Sequence, residues 1–399
     1  MVSFARRCAV AALMFVSLFS ICRPAAASPP PWPSWPFPPA APAVPQARRG
    51  INPPTEFGIY LNLTCDTVPW YTFSFGGAPL RMDCLLIPAG EPGGLYPRQG
   101  PHMIELYPGG RAAYYTAYLT ALTNLINLWL PTTNYDGLLV CDYEFFSPWY
   151  TGHLNYASTQ AYNALDNDPI DDWRDTLRVT RASAIAGMTA AQQEAYFKQE
   201  WESTTREFFE RTYNLLKQLR PNSKVGFYNQ PAQCYWEWRD PVKAAAMRQG
   251  HDEVTWFWNM VDIILPSTYT FYQSVPDHRV PGPSQDRESD FDAYCRANIG
   301  EALRVARGKP VYNYVAFQHH ASNPLYANDP VNYYNLRHPF EVARELGCNG
   351  CIIWGWVRTQ HQYDQCVSYV PSTLVPFVTR FANLPTYAPA NPGRPQRIQ

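Results

Sequence analysis

Short runs that are apolar throughout recur along the chain, between longer stretches whose apolar residues return every three or four positions. The first kind reads as buried parallel strands and the second as helices laid over them. FGIYLNL (57–63), HMIELY (102–107), GLLVCDY (137–143), KVGFYNQP (224–231), VDIILPSTY (261–269), PVYNYVAFQ (310–318) and GCIIWGW (350–356) are strands of this type. Helical spacing marks 112–130, where Tyr114, Leu119, Leu122, Leu125, Ile126 and Leu130 share a face. A second helix opens on a capping box of Thr189 and Gln192 and runs to Leu219, with Phe197, Trp201, Phe208, Thr212, Leu215 and Leu219 as its buried stripe. Further helices cover 291–307, 339–346 with Gly347 as C-cap, and 372–383. The segment 150–188, rich in Asn, Asp, Trp and Tyr, reads as a long loop forming a lid or groove wall. Strand and helix alternate without a sequence repeat, and no Gly-rich phosphate loop follows a strand. So many such units in one domain predict an α/β fold of the TIM-like (β/α) barrel type rather than an open Rossmann sheet.

The stretch 137–150, GLLVCDYEFFSPWY, organises the reading. Leu138, Val140, Asp142 and Glu144 alternate with Leu139, Cys141 and Tyr143, so the two carboxylates share one face at the end of an apolar strand. In a parallel barrel that end is where catalytic groups collect. The alternative for an isolated DxE is that one acid caps a loop and the other pairs with an Arg. Cys141 falls on the opposite, helix-facing side and reads as a buried thiol rather than a nucleophile.

The ends of the chain set the compartment. Arg6 and Arg7, an apolar run over 9–21 and Ala25-Ala26-Ala27 have the layout of a secretory signal over 1–27. The apolar run is short for a membrane span, and no later run is long enough for one. Residues 28–50 are a Pro-rich linker, the domain is expected over 51–385, and 386–399 is a Pro-rich tail. Export changes the reading of cysteine. Eight Cys follow the signal, an even number that favours disulfides. The Cys348–Cys351 CxxC lacks a second such pair to complete a zinc site, and no metal or other cofactor is expected. His319, His320 and His361 have no acidic partner at ligand spacing and read as exposed loop residues.

Aromatic residues make up 15% of the chain and include 13 Trp and 27 Tyr, ample for sugar-stacking surfaces. The net charge of -1 supplies no attraction for nucleic acid or an anionic membrane. In a barrel, the strand ends would gather Asp142, Glu144, Tyr228, Tyr269 and Trp354, a set suited to a saccharide. Carboxyls at i and i+2 on one strand reach the sugar from the same side and cannot flank the anomeric carbon as nucleophile and acid. That geometry suits substrate-assisted hydrolysis, in which the acetamide of the substrate attacks. Glu144 would be the acid and then the base. Asp142 would hold the acetamide N–H and raise the proton affinity of Glu144.

These residues carry a resemblance. VCDYEFF, then LLKQLRPNSKVGFYNQPAQCYW, DIILPSTY and GCNGCIIWGW occur in the order found in the hyaluronidase family of glycoside hydrolases, the animal and venom type. The chain resembles a divergent member over about 57–366. The resemblance implies a distorted TIM-like barrel, Glu144 as acid/base, Asp142 as the acetamide-positioning acid, and Tyr228, Tyr269 and Trp354 along the substrate. It also implies a Cys65–Cys366 disulfide and an enzyme that acts on hyaluronan or chondroitin; a monomer is expected. Phe145-Phe146-Ser147-Pro148-Trp149 departs from the family's aromatic-Arg-Pro, and Cys234 lacks its expected local partner before Trp258. Two alternatives stay open: hydrolysis of another N-acetylhexosamine polysaccharide, and a lectin-like barrel that binds glycans without cleaving them. Arg239, Lys243, Arg248 and Arg358 are the cations whose position would separate the substrates.

Overall fold

Seven strand segments are hydrogen-bonded side by side into a ring. The computed structural model describes residues 57–61, 78–81, 83–88, 97–143, 147–150, 169–231, 238, 240–355 and 359–383. Strands β1 (Gly58–Leu61), β2 (Cys84–Ile87), β3 (Leu138–Cys141) and β4 (Lys224–Phe227) come first along the chain. A small parallel pair follows, β5 (Gln273–Val275) with β6 (Gln285–Arg287), and then β7 (Tyr312–Ala316) and β8 (Gly350–Trp354). Two parallel sheets result, β2-β3-β4 and β1-β8-β7. Leu138 stands opposite both Cys84 and Lys224, and Gly350 opposite both Gly58 and Tyr312.

Irregular strand segments join the two sheets at both edges. On one side Asp262 N–H donates to Val225 O at 2.9 Å, Tyr312 N–H to Ile264 O at 3.0 Å and Tyr314 N–H to Pro266 O at 2.8 Å. On the other, Arg81 N–H donates to Ile59 O at 2.8 Å, and Leu61 N–H to Arg81 O at 2.9 Å. The segment 261–269, expected as a full strand, thus serves as a barrel stave through isolated bridges at Ile264 and Ser267. Gly226 permits its close approach, since a Cβ there would lie 2.7 Å from Ile263 Cγ1.

Period-two alternation splits the core as the sequence predicts. Inward residues form one cluster that includes Tyr60, Cys84, Leu86, Leu138, Val140, Tyr314 and Ile352. Outward residues such as Leu139, Cys141, Val225 and Ile353 join the larger cluster under the helices. The barrel interior is therefore a packed core.

Helices α1 (Pro101–Glu105) and α2 (Gly110–Trp129) precede β3. After it come α3 (Pro169–Thr180), α4 (Ala182–Ile185) and α5 (Ala190–Leu219), the last opening on the Thr189–Gln192 capping box. The chain continues with α6 (Pro241–Glu253), α7 (Thr255–Met260), α8 (Glu288–Ala306), α9 (Tyr333–Leu346), α10 (Gln360–Tyr369) and α11 (Val375–Ala382). Gly347 caps α9 in the left-handed region at φ 91°.

Three sequence expectations change. HMIELY is not a strand; it lies mostly in α1, which Pro101 starts at a position where a missing N–H does no harm. The second strand is instead CLLI, four wholly buried residues too short to show a period. The described part of 150–188 is not one loop, because Asp171 and Asp172 open α3 and Trp173 and Leu177, one turn apart, are buried. Helices α6 and α10 went unread because their apolar stripes are weak, and α7 because six residues are too few to show a period; α6 is anchored by Asp240, whose side chain accepts from Val242 N and Lys243 N.

Candidate active site

The site grows from the end of β3. Its last hydrogen-bonded turn of ladder places Asp142 between two neighbours: Asp142 N–H donates to Ile87 O at 2.9 Å, and Tyr228 N–H donates to Cys141 O at 2.9 Å. Asp142 thus follows Leu138 and Val140 on the inward face, beside Tyr228 on the next strand. Behind it, Tyr143 points outward, fully packed against Phe208 and Phe227. Its hydroxyl lies 2.8 Å from that of Tyr118 on α2, which is in turn 3.0 Å from Thr212 Oγ1 on α5. Two helices therefore hold the backbone at Asp142 from the back.

Glu144 lies outside the described residues, but the chain is held again directly after it. Trp201 Nε1 donates to Ser147 O at 3.2 Å, and Tyr150 donates to Glu194 Oε1 at 2.9 Å. Trp149 is buried with its ring 4.6 Å from that of His251, edge to face. His251 Nδ1 and Arg304 both bind the Glu301 carboxylate, at 2.6 and 2.7 Å. Burial alone would raise the Glu301 pKa; the hydrogen bonds from Arg304 and His251 outweigh it and pull it down to about 2. A charged carboxylate thus anchors the segment downstream of Glu144 through His251 and Trp149.

The aromatic residues come together as one strip at the ends of β4, the 261–269 stave and β8. Tyr228 and Tyr269 have centroids 5.8 Å apart, and Tyr269 stacks on Trp354 at 5.3 Å with 14° between planes. Tyr228 donates to Ser267 Oγ at 3.1 Å, which fixes its ring. Both tyrosines are 7% exposed, and Trp354 is half-buried at the end of β8. Asp142 and the three aromatics thus stand at the C-terminal ends of four staves, with β7 between those of Tyr269 and Trp354.

Sequence reading missed Tyr314 and Ser267. Tyr314 sits inward on β7 with its ring edge-on to Tyr228 at 4.8 Å and 76°. Alternation along YNYVA was the available signal, because it puts Tyr312, Tyr314 and Ala316 on one face. Cys141 is a buried thiol whose pKa burial pushes up, the opposite of an activated nucleophile. His319 corrects an expectation: it is 3% exposed, and burial lowers its pKa to about 4. His320 packs on Phe271 at 4.5 Å, and His361 is exposed. Among the described residues no group of three His, Cys, Asp or Glu is placed to hold a metal, and no helix is long and apolar enough to cross a membrane. Arg248 Nε lies 3.8 Å from Glu301 Oε2 on the outer helices, and Lys243 is exposed on α6. Arg239, Arg358, Cys65 and Cys234 fall outside the described residues; Cys366 is buried, its sulfur 3.8 Å from Gln318 Nε2, and it forms no disulfide with another described residue.

Comparison with known proteins reaches the same place. A family model described as Hyaluronidase matches residues 91–386. The chain is 26% identical over 272 residues to a chondroitin hydrolase of Caenorhabditis elegans, covering 66% of this chain and 53% of the relative. It is 26% identical over 272 residues to a hyaluronidase of Apis mellifera, covering 65% of this chain and 63% of that one. The chain therefore spans between about half and two thirds of the length of these relatives. Among solved structures, bee venom hyaluronidase superposes with a TM-score of 0.59 at 21% identity, over 82% of this chain and 100% of that chain. This likeness agrees with the distorted TIM-like barrel built above from its hydrogen bonds. With the family match running from before α1 to beyond α11 and the acid-and-aromatic rim formed within it, the chain belongs to the hyaluronidase family of glycoside hydrolases.

Proposed function

We propose that the protein is a secreted endo-glycosidase that hydrolyses β-linked N-acetylhexosamine bonds in hyaluronan or chondroitin by substrate-assisted, retaining catalysis. The observation that carries this reading is Asp142 at the end of β3 beside the continuous Tyr228–Tyr269–Trp354 strip. Aromatic faces accept the apolar faces of sugar rings, and phenol hydroxyls reach an acetamide or a ring hydroxyl. Trp354 would carry one sugar, and Asp142 would accept the acetamide N–H and turn its oxygen toward the anomeric carbon. Glu144 would first give its proton to the leaving oxygen. It would then take one from the water that opens the oxazolinium ion, returning the β configuration. The relatives named a chondroitin hydrolase and a hyaluronidase support the substrate class, and the N-terminal signal pattern supports secretion. The Cys65–Cys366 disulfide belongs to the same proposal.

The test is reducing-end release from hyaluronan, chondroitin and an uncharged N-acetylglucosamine polymer, for the wild type and Glu144→Gln, across acidic to neutral pH. Release from a uronate polymer that drops about 10²–10⁴-fold in the variant is the expected result. Release from the neutral polymer alone would keep the chemistry and change the substrate. Tight binding without release by either protein would leave a glycan-binding barrel.

A further inference from the structure

Tyr143 stands between the two acids of the DxE, just past the end of β3. The strand stops at Cys141, and Asp142 N–H to Ile87 O at 2.9 Å is the next step of the ladder. Beyond that step a side chain holds the backbone. Tyr143 is 2% exposed, its ring set against Phe208 on α5 at 5.5 Å and Phe227 on β4 at 5.9 Å. A phenylalanine would pack there equally well, so the hydroxyl is the informative atom. It lies 2.8 Å from the Tyr118 hydroxyl on α2, which lies 3.0 Å from Thr212 Oγ1 on α5. Thr212 in turn donates to Phe208 O at 2.9 Å, because a carbonyl only accepts. One proton per hydroxyl then fixes the direction of the whole chain. Thr212 has its proton committed and accepts from Tyr118; Tyr118 has its own committed and accepts from Tyr143. Tyr118 and Thr212 are fully buried, so water does not replace a broken link. Tyr143 also hydrogen-bonds the Cys141 side chain, whose thiol burial keeps protonated and therefore a donor.

We propose that Tyr143 is a positioning residue for the acid pair. Through the Tyr143–Tyr118–Thr212 hydroxyl relay, helices α2 and α5 set the depth at which the chain carries Asp142 and, on the other side of Tyr143, Glu144. Asp142 faces inward and Tyr143 outward, so any displacement of the tyrosine reaches Asp142 through a single rigid peptide unit. Phe208 closes the circuit, since its ring packs on Tyr143 and its carbonyl takes the last proton of the relay. Loss of the Tyr143 hydroxyl leaves the Tyr118 oxygen without its donor and frees the ring to settle toward α5. A carboxylate that must meet an acetamide within about half an ångström feels such a shift. The catalytic consequence rests on the hydrolase reading given above; the anchoring of Asp142 does not.

The decisive variant is Tyr143→Phe in the full-length protein, with Tyr135→Phe as its control. Tyr135 donates to Asp83 O at 2.8 Å and to Leu138 O at 3.1 Å, so it holds the opposite end of the same strand by the same kind of bond. Both variants should unfold at lower denaturant. Only Tyr143→Phe should lower kcat, roughly tenfold, with KM changed less than about twofold. Tyr118→Phe should show the same split, and combining it with Tyr143→Phe should cost less than about twofold more, because the two remove one shared bond. Thr212→Val should lower kcat about threefold, and Thr212→Ser should restore it. Equal kcat in wild type and Tyr143→Phe overturns the proposal. So does a combined loss of about a hundredfold, since the two hydroxyls would then act independently. Amide hydrogen exchange at Asp142 reads the positioning without turnover. Its bond to Ile87 O should open roughly tenfold more often in Tyr143→Phe, and in Tyr135→Phe no more than the change in global stability requires. Unchanged exchange at Asp142 overturns the proposal even in an active protein. Faster exchange, with no polymer cleaved by the wild type, sustains the anchoring and removes the hydrolase reading instead.

Discussion

The two ends of the barrel treat polar groups in opposite ways. At the N-terminal end several are matched within the protein. Asp262 receives Tyr213, Lys217 and the Val225 N–H, all at 3.0 Å. Tyr135 donates to Asp83 O at 2.8 Å, Arg81 lies 4.9 Å over the Tyr60 ring, and Tyr60 packs edge-on to Tyr312 at 5.2 Å. At the C-terminal end the staves finish in Asp142 and the three-ring strip. The same strands run through both, so strand formation does not explain the difference. One end has its hydrogen bonds completed within the protein and contributes stability; the other presents faces and acceptors that a sugar can complete.

The sharpest way to break this comparison is to remove one carboxylate from each end. Asp142→Asn should lower polysaccharide cleavage at least about 10²-fold while moving the melting temperature by no more than a few degrees. Asp262→Ala should do the reverse. It strands Lys217 and Tyr213, costs about 2 kcal/mol of stability, and leaves turnover per folded molecule unchanged. Denaturant unfolding and initial rates on the same samples separate the two, and the comparison fails if both effects fall on one variant. Next in size is Trp354→Ala, which loses the face stacked on Tyr269 and should reduce kcat/KM about tenfold. A fall in stability with unchanged kcat/KM would make the strip core packing.

The smallest expected effects come from two buried carboxyls outside the rim, and they have opposite signs. The Glu301 pKa is depressed to about 2, below its unfolded value. Its contribution is therefore present above the ordinary carboxylate range and is lost as pH falls from about 4 toward 2. Asp286, buried first and near Asp290 second, is raised to about 8. Its contribution is present below the unfolded pKa and is lost as pH rises through about 8. Melting temperature should fall by a few degrees below about pH 4, and again as pH rises from about 4 to about 8. Glu301→Gln should flatten the acidic slope and Asp286→Asn the one between about pH 4 and 8. Since His251 and Glu301 back Trp149, the acidic slope should accompany loss of the ordered segment after β3, which tryptophan fluorescence at that position reports.

Much of the barrel was legible because burial on both faces writes continuous apolar runs. β3, β4, β7 and β8 lie where GLLVC, KVGF, YNYVA and GCIIW predict them. HMIELY misled for the same reason, since four or five apolar residues in a row have no period long enough to separate a strand from a helix turn. The stave at 262–268 was readable as apolar, but its pairing through isolated bridges was not, because ladder hydrogen bonds depend on what the neighbouring strands present. At the site, Asp142, Tyr228, Tyr269 and Trp354 were each visible at the end of an apolar run. Tyr314 was not singled out, because a tyrosine in mid-strand is indistinguishable from core until its ring is seen edge-on to Tyr228.

By itself the sequence determined local periods, caps and the order of chemical groups along the chain. Alternation along β3 alone put Asp142 and Cys141 on opposite faces, and the Thr189–Gln192 box alone started α5. Tertiary structure decided which ends meet. The ring closes through Arg81 on one side and 262–268 on the other, bringing residues 142, 228, 269, 314 and 354 to one floor and rim. The reason is physical: a period is a property of neighbours in sequence, whereas a site made of several staves depends on barrel closure, which no single segment encodes.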